Sequence, residues 1–235
     1  MIKAALEYIT GLKEPRILEL EQGNFSDKQL HRVKCPRPVA LQVSSLDSFV
    51  DYIKSNFDTV ERLMVHVKSP TKISLFTDVD EEMERDVFME ATALLPNIEF
   101  DRFVDTENFN IMLQSCFVDT EDKAAILAVV GNISESTVQT IGDDGVSQSV
   151  VTRKGIATKE NVIVPNPVVL QPYRTFVEVA QPPSNFIFRM KDGPRAAIFE
   201  ADGGAWKLAA VRNIKKYLEE KLKEQVESGR IIIIA

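Results

Sequence analysis

Ile2, Ala5, Leu6 and Ile9 recur every three to four residues, the spacing of one helical face, and predict an amphipathic helix over 2–12 with Gly11 near its end. Residues 13–38 carry Pro15, Gly23, Pro36 and Pro38 and read as loop with short extended pieces. Val39, Leu41 and Val43 alternate with other residues, as in a strand. Ser45 then stands as an N-cap, and Leu46, Phe49, Val50, Ile53 and Phe57 define a helix over 46–57. Leu63, Val65 and Val67 alternate with Met64 and His66, and a second strand over 73–76 follows Ser69-Pro70, which makes a hairpin.

The pattern over 79–95 is divided. Its acidic run suggests a helix, whereas Val87-Phe88-Met89 opens a strand that the sequence favours over 87–94. Asp105-Thr106-Glu107 begins a helix bearing Phe109, Met112, Leu113 and Cys116. Thr120 caps another, in which Ala124, Leu127, Ala128 and Val130 leave little polar surface before Gly131, so it should be well buried. Gly142-Asp143-Asp144-Gly145 lies between β-type runs and signals a hairpin. Short strands follow at 162–164 and 168–170, and 186–190 and 196–200 form the arms of a hairpin turned by Asp192-Gly193-Pro194.

The longest helix spans 205–226, with Trp206, Ala209, Ala210, Ile214, Tyr217, Leu218 and Leu222 on its apolar face. After Gly229 comes Ile231-Ile232-Ile233-Ile234, strand material on both faces of a pleat. Such a strand belongs at the centre of a sheet or between layers, covered by the same chain or by a neighbouring copy. The expected fold is α+β: a mostly antiparallel sheet flanked by helices, with the long C-terminal helix followed by a terminal strand. The 235 residues read as one domain, or as a mixed part over 1–135 and a β-rich part over 136–235.

Charge changes this picture in one place. The net charge is −7, yet 76–122 alone holds fourteen Asp/Glu and two Arg, so the remainder is mildly positive. The acidic stretch reads as a solvated face, or as a surface for a basic partner such as another copy of the chain. With a sequence pI near 5.1, a strong nucleic-acid binder is not expected, even with Lys207, Arg212, Lys215, Lys216, Lys221 and Lys223 in the last helix. The longest all-apolar run, Ala124–Val130, has seven residues and cannot cross a bilayer, and the N-terminus lacks a signal-peptide pattern, so a cytoplasmic location is expected.

Candidate chemistry is sparse. Cys35, Cys116, His31 and His66 have no metal-site spacing, so neither metal nor cofactor is expected. The cysteines read as inert buried thiols; a Cys35/His31 pair at i, i+4 is weakened by Pro36 and Pro38.

The most distinctive stretch runs Gln171-Pro172-Tyr173-Arg174-Thr175-Phe176-x-Glu178-Val179-x-Gln181-Pro182-x-Ser184-x-Phe186-x-x-Arg189. A second block, Phe199-Glu200-Ala201-Asp202-Gly203-Gly204-Ala205-Trp206, follows it. Over 168–210 the chain resembles the phage and prophage protein family typified by YfdQ, and more weakly so over 143–155 and 46–53. The resemblance implies a phage-borne protein of the host cytoplasm, made early in infection or carried in a prophage. It supplies no catalytic residue.

Read physically, the prolines make 172–182 an edge strand or one crossing a sheet end, with Arg174, Phe176 and Glu178 on one face. Arg189 falls opposite Phe186 and Phe188, and an Arg–Glu–Arg group there would lock two strands. The alternative is a ligand or partner site built from Arg174, Glu178, Gln181, Arg189, Glu200 and Asp202. Asp202-Gly203-Gly204 reads as a helix cap more readily than as an anion site. The resulting expectation is a homo-oligomeric, non-enzymatic binding protein, ring-forming if unlike patches pair head to tail, with a host or phage protein as partner. The alternative is an enzyme that uses the Arg/Glu/Asp set on a small phosphate-containing or peptide substrate.

Overall fold

A computed structural model describes residues 2–11, 15–20, 23–27, 37–81, 83–131, 140–143, 148–154, 158–164, 166–191 and 193–235. The chain divides into two compact units, Met1–Arg37 and Pro38–Ala235. The first contains helix α1 (Ile2–Gly11) and the antiparallel pair β1 (Ile17–Leu20) and β2 (Gly23–Ser26), in which Leu18 faces Phe25. The pair is closed by the Arg16 amide donating to Asp27 Oδ1 at 2.7 Å.

The second unit opens with β3 (Leu41–Val43), α2 (Leu46–Ser55), β4 (Leu63–Ser69), β5 (Lys72–Phe76) and β6 (Val87–Thr92). The hairpin, the Ser45 cap and the strand favoured for the acidic region are all present; the Ser45 hydroxyl accepts from the Ser48 amide at 3.1 Å. Next come β7 (Val104–Asp105), α3 (Thr106–Cys116) and α4 (Glu121–Gly131). Asp105 caps α3, and the Thr120 hydroxyl accepts from the Lys123 amide at the start of α4. Strands β8 (Thr140–Asp143), β9 (Gln148–Lys154) and β10 (Thr158–Val164) form an antiparallel sheet in the order β10-β9-β8. The last elements are β11 (Val168–Leu170), β12 (Ser184–Lys191), β13 (Arg195–Glu200), α5 (Trp206–Lys221), α6 (Lys223–Glu227) and β14 (Ile231–Ile234). The long helix expected over 205–226 is thus broken at Leu222, a fully buried residue.

Two cores organise this unit. The first lies on one face of the sheet β14-β4-β5-β6-β3, where Val65, Leu75, Met89 and Ile231 meet Phe49 and Ile53 of α2 and Ile214 and Leu218 of α5. The second lies between the sheet β11-β12-β13-β7 and the pair α3/α4, where Phe109, Leu113 and Ile126 meet Phe186, Phe188 and Ile198. The expected α+β class is what the structure has, with its hairpins antiparallel and two parallel pairs, β14 on β4 and β3 on β6.

Two expectations fail. The segment 171–183 is not a strand; apart from one antiparallel bridge, Phe117 with Pro172, it is irregular. Its prolines deny it ladder donors, and side chains take over the satisfaction of its backbone. The isoleucine strand is neither central nor sandwiched. Among the described residues it is the outermost strand of its sheet, paired only with β4, to which the α5–α6 connection delivers it.

Candidate functional site

The irregular segment is where the sequence placed its polar candidates, and most of them meet there. The segment is fixed at its start by two bonds to the end of α3: the Tyr173 amide donates to the Cys116 carbonyl and the Val118 amide to the Gln171 carbonyl, each at 2.9 Å. Gln181 then closes it from within. Its Oε1 accepts from the amides of Arg174 (2.9 Å) and Thr175 (3.3 Å), and its Nε2 donates to the carbonyls of Phe176 (3.0 Å) and Val179 (3.2 Å). One buried amide side chain therefore serves four backbone groups that would otherwise be stranded away from water.

Arg174 is 5 % exposed; both of its terminal nitrogens are bonded, while its Nε has no partner among the described residues. One terminal nitrogen donates to Glu200 Oε1 and the other to the Ser184 hydroxyl. Ser184 passes its own proton to Asp202 Oδ2 at 2.6 Å, and Asp202 Oδ1 accepts from the Gly204 amide at 2.9 Å. The guanidinium lies 4.0 Å from the centre of the Trp206 ring and 5.6 Å from that of Phe186, so aromatic faces cover what carboxylates do not. Burial pulls the Arg174 pKa down, and the charges of Glu200 and Asp202 push it back. Burial pushes Asp202 up, but bonds from Ser184 and the Gly204 and Trp206 amides, with the charge of Arg174, outweigh it and leave its carboxyl below the usual range. Asp202 is not the expected cap residue: the N-cap of α5 is Ala205, which makes no side-chain cap bond, and Asp202 instead closes the turn before the helix by accepting from the Gly204 amide.

The remaining two candidates lie elsewhere. Glu178 reaches α2, where its Oε1 accepts from the Leu46 amide at 2.7 Å and caps that helix from 132 residues away. Among the described residues the Arg189 guanidinium donates only to the neighbouring Phe188 carbonyl at 3.0 Å, and it joins neither Arg174 nor Glu178. The predicted Arg–Glu–Arg lock fails because it assumed a strand alternation that 171–183 does not have. The partners that sequence reasoning missed are Ser184, Trp206 and Phe186. A hydroxyl and an indole near an Arg/Glu/Asp set were the available signal, but only the fold brings them together.

This segment also joins the two cores. Phe176 and Val179 enter the first, the Thr175 hydroxyl donates to the Pro70 carbonyl, and Asn213 of α5 donates to the Ala180 carbonyl at 2.8 Å. Leu170 and Phe186, just outside it, belong to the second. Chemically, the cluster is largely self-consuming: the terminal nitrogens of the cation, the hydroxyl and the acids bond one another, and Arg174 Nε and the Trp206 indole N–H are left without a partner among the described residues.

The other candidate chemistry is separate. Cys116 is buried beside the Ser115 hydroxyl at 3.3 Å, and His66 meets Phe76 edge-on at 6.4 Å; His31 and Cys35 lie outside the described residues. Among the described residues no group of three or more His, Cys, Asp or Glu is placed to hold a metal ion, and no helix is long and apolar enough to cross a membrane.

The sheet edge contrasts with this cluster. Ile231 and Ile233 stand opposite Leu63 and Val65 on the covered face, leaving Ile232 and Ile234 on the other at 37 % and 39 % exposure. Among the described residues no strand pairs with the outer side of β14, and Ile232 and Ile234 are exposed. No family model matches the chain, and neither the search of curated proteins nor that of solved structures found a match.

Proposed function

We propose that this is a homo-oligomeric binding protein whose copies associate through β14, and that the Arg174 cluster is scaffold. The open isoleucine edge carries this reading. Edge strands are normally guarded by lysine, proline, a bulge or a covering element, and Ile231–Ile234 has no charge, no proline and no bulge. Antiparallel pairing of β14 with β14 of a second copy about a two-fold axis sets isoleucine beside isoleucine and joins two five-stranded sheets. A second copy fits better than a charged partner because the strand offers only apolar side chains. The resemblance over 168–210 is the ground for placing this assembly in an infected or lysogenic host cell, with a host or phage protein as its target.

Size-exclusion chromatography with light scattering tests the reading. The protein should elute as a dimer or a multiple of it, and the Ile232→Lys/Ile234→Lys variant as a monomer with unchanged circular dichroism. A wild-type protein that stays monomeric at high concentration refutes the reading, and so does a variant that still associates.

A further inference from the structure

Outside both features, α3 and the segment 97–104 enclose a groove of about 660 Å³, within the range of about 300–1,000 Å³ that small-molecule sites occupy. Asn108, Ile111, Met112 and Ser115 come from one side of α3 at helical spacing, and Arg195 enters from β13 opposite Asp105. The opposite wall follows from alternation: Ile98 and Phe100 turn into the second core, leaving Asn97 and Glu99 to line the groove.

Its charges are not equally available. Glu99 and Arg102 pair with each other at 3.6 Å. Asp105 accepts from the Asn108 amide at 2.9 Å and the Asn108 side chain at 2.7 Å, bonds that hold its carboxyl below the usual range. Lys191 is set over the Phe103 ring at 4.1 Å. Among the charged residues that line the groove, the Arg195 side chain has no ion-pair or hydrogen-bond partner among the described residues. Ile111, 56 % exposed on a helix whose opposite side buries Phe109 and Leu113, gives the groove an apolar wall.

We infer that this groove binds a small organic carboxylate with a short apolar body, its carboxylate held by Arg195 and its body laid along Ile111 and Met112. An unpaired guanidinium supplies the two parallel donors that a carboxylate takes. A purely apolar ligand would leave that guanidinium unanswered, and a polyanion would meet Glu99 and Asp105. The site does not depend on association through β14, so either proposal can fail alone.

The full-length protein is titrated calorimetrically with acetate, butanoate, hexanoate and octanoate, while the Met112 methyl resonance is followed by NMR. Affinity should rise about threefold to fourfold per added methylene as apolar area is buried. The Met112 resonance should shift with the same midpoint. Arg195→Ala, at an exposed position, should weaken octanoate binding by about tenfold or more. Ile111→Ala should flatten the dependence on chain length. Lack of saturable binding at millimolar ligand overturns the proposal. So does an Arg195→Ala variant that binds octanoate as tightly as the wild type.

Discussion

The segment 171–183 and the strand β14 have opposite solutions to the same requirement. The first has almost no regular structure, yet Gln181 alone answers four of its backbone groups, and Arg174 bonds Glu200 and Ser184 from within it. The second is regular in every residue, yet one of its two backbone edges has no partner strand among the described residues. Regularity and completeness are therefore separate properties. Irregular backbone closed by side chains is a finished part, whereas a perfect strand at the rim of a sheet still calls for a neighbour.

The contrast can be broken most severely at Arg174. Arg174→Ala should cost about 3–5 kcal/mol in denaturant melts, because it strands Asp202 and Ser184 and opens a hole beside Trp206. Arg174→Met, which restores volume, should recover part of that loss; an equal loss in both variants would place the stabilisation in charge alone. Gln181→Ala leaves four backbone groups to find partners and should cost about 2–4 kcal/mol by the same measurement. Glu178→Ala removes a cap from α2 and should cost about 1–2 kcal/mol, with Glu178→Gln recovering most of it through its remaining oxygen.

A finer effect concerns acid. The folded-state pKa of Asp202 lies below its unfolded value of about 3.9, so its contribution is complete above that pH and disappears as pH falls through the folded value. Asp202→Asn should flatten the decline of stability below about pH 4, read from urea midpoints at successive pH values. At the strand edge the expected effect on monomer stability is smallest, within about 0.5 kcal/mol for Ile232→Lys/Ile234→Lys, although that variant should change the assembly most.

The elements with a strong period were legible in advance. Leu46–Ile53, Leu63–Val67 and Phe186–Met190 each bury the residues that repeat on one face, and their caps and turns are local signals. What the sequence concealed is what long-range contacts decide. Whether Pro172 to Pro182 forms a strand depends on whether a ladder partner exists, and Gln181 substitutes for one. The rank of Ile231–Ile234 within its sheet depends on the α5–α6 connection and not on the strand's own composition. Of the polar candidates, Arg174, Gln181, Glu200 and Asp202 converge, whereas Glu178 and Arg189 separate. A period of two was applied to both where the backbone obeys it only at Arg189. Lys123, buried with its ammonium on the Phe117 carbonyl at 2.8 Å and Asp119 at 2.8 Å, gave no warning, since it lies among ordinary helix-surface residues in the sequence.

The parallel pairing of β14 with β4 has a consequence for synthesis on the ribosome. The Arg230 side chain, just before β14, reaches back to the Val60 carbonyl across 170 residues, so the hairpin β4–β5 emerges long before its outer neighbour exists. Throughout that interval Leu63–Val67 is itself the unprotected rim of a nascent sheet, and long-range parallel pairing is slow to form. Early copies of the chain on one polysome are thus at risk of joining through β4. Arrival of the isoleucine strand removes that wrong junction.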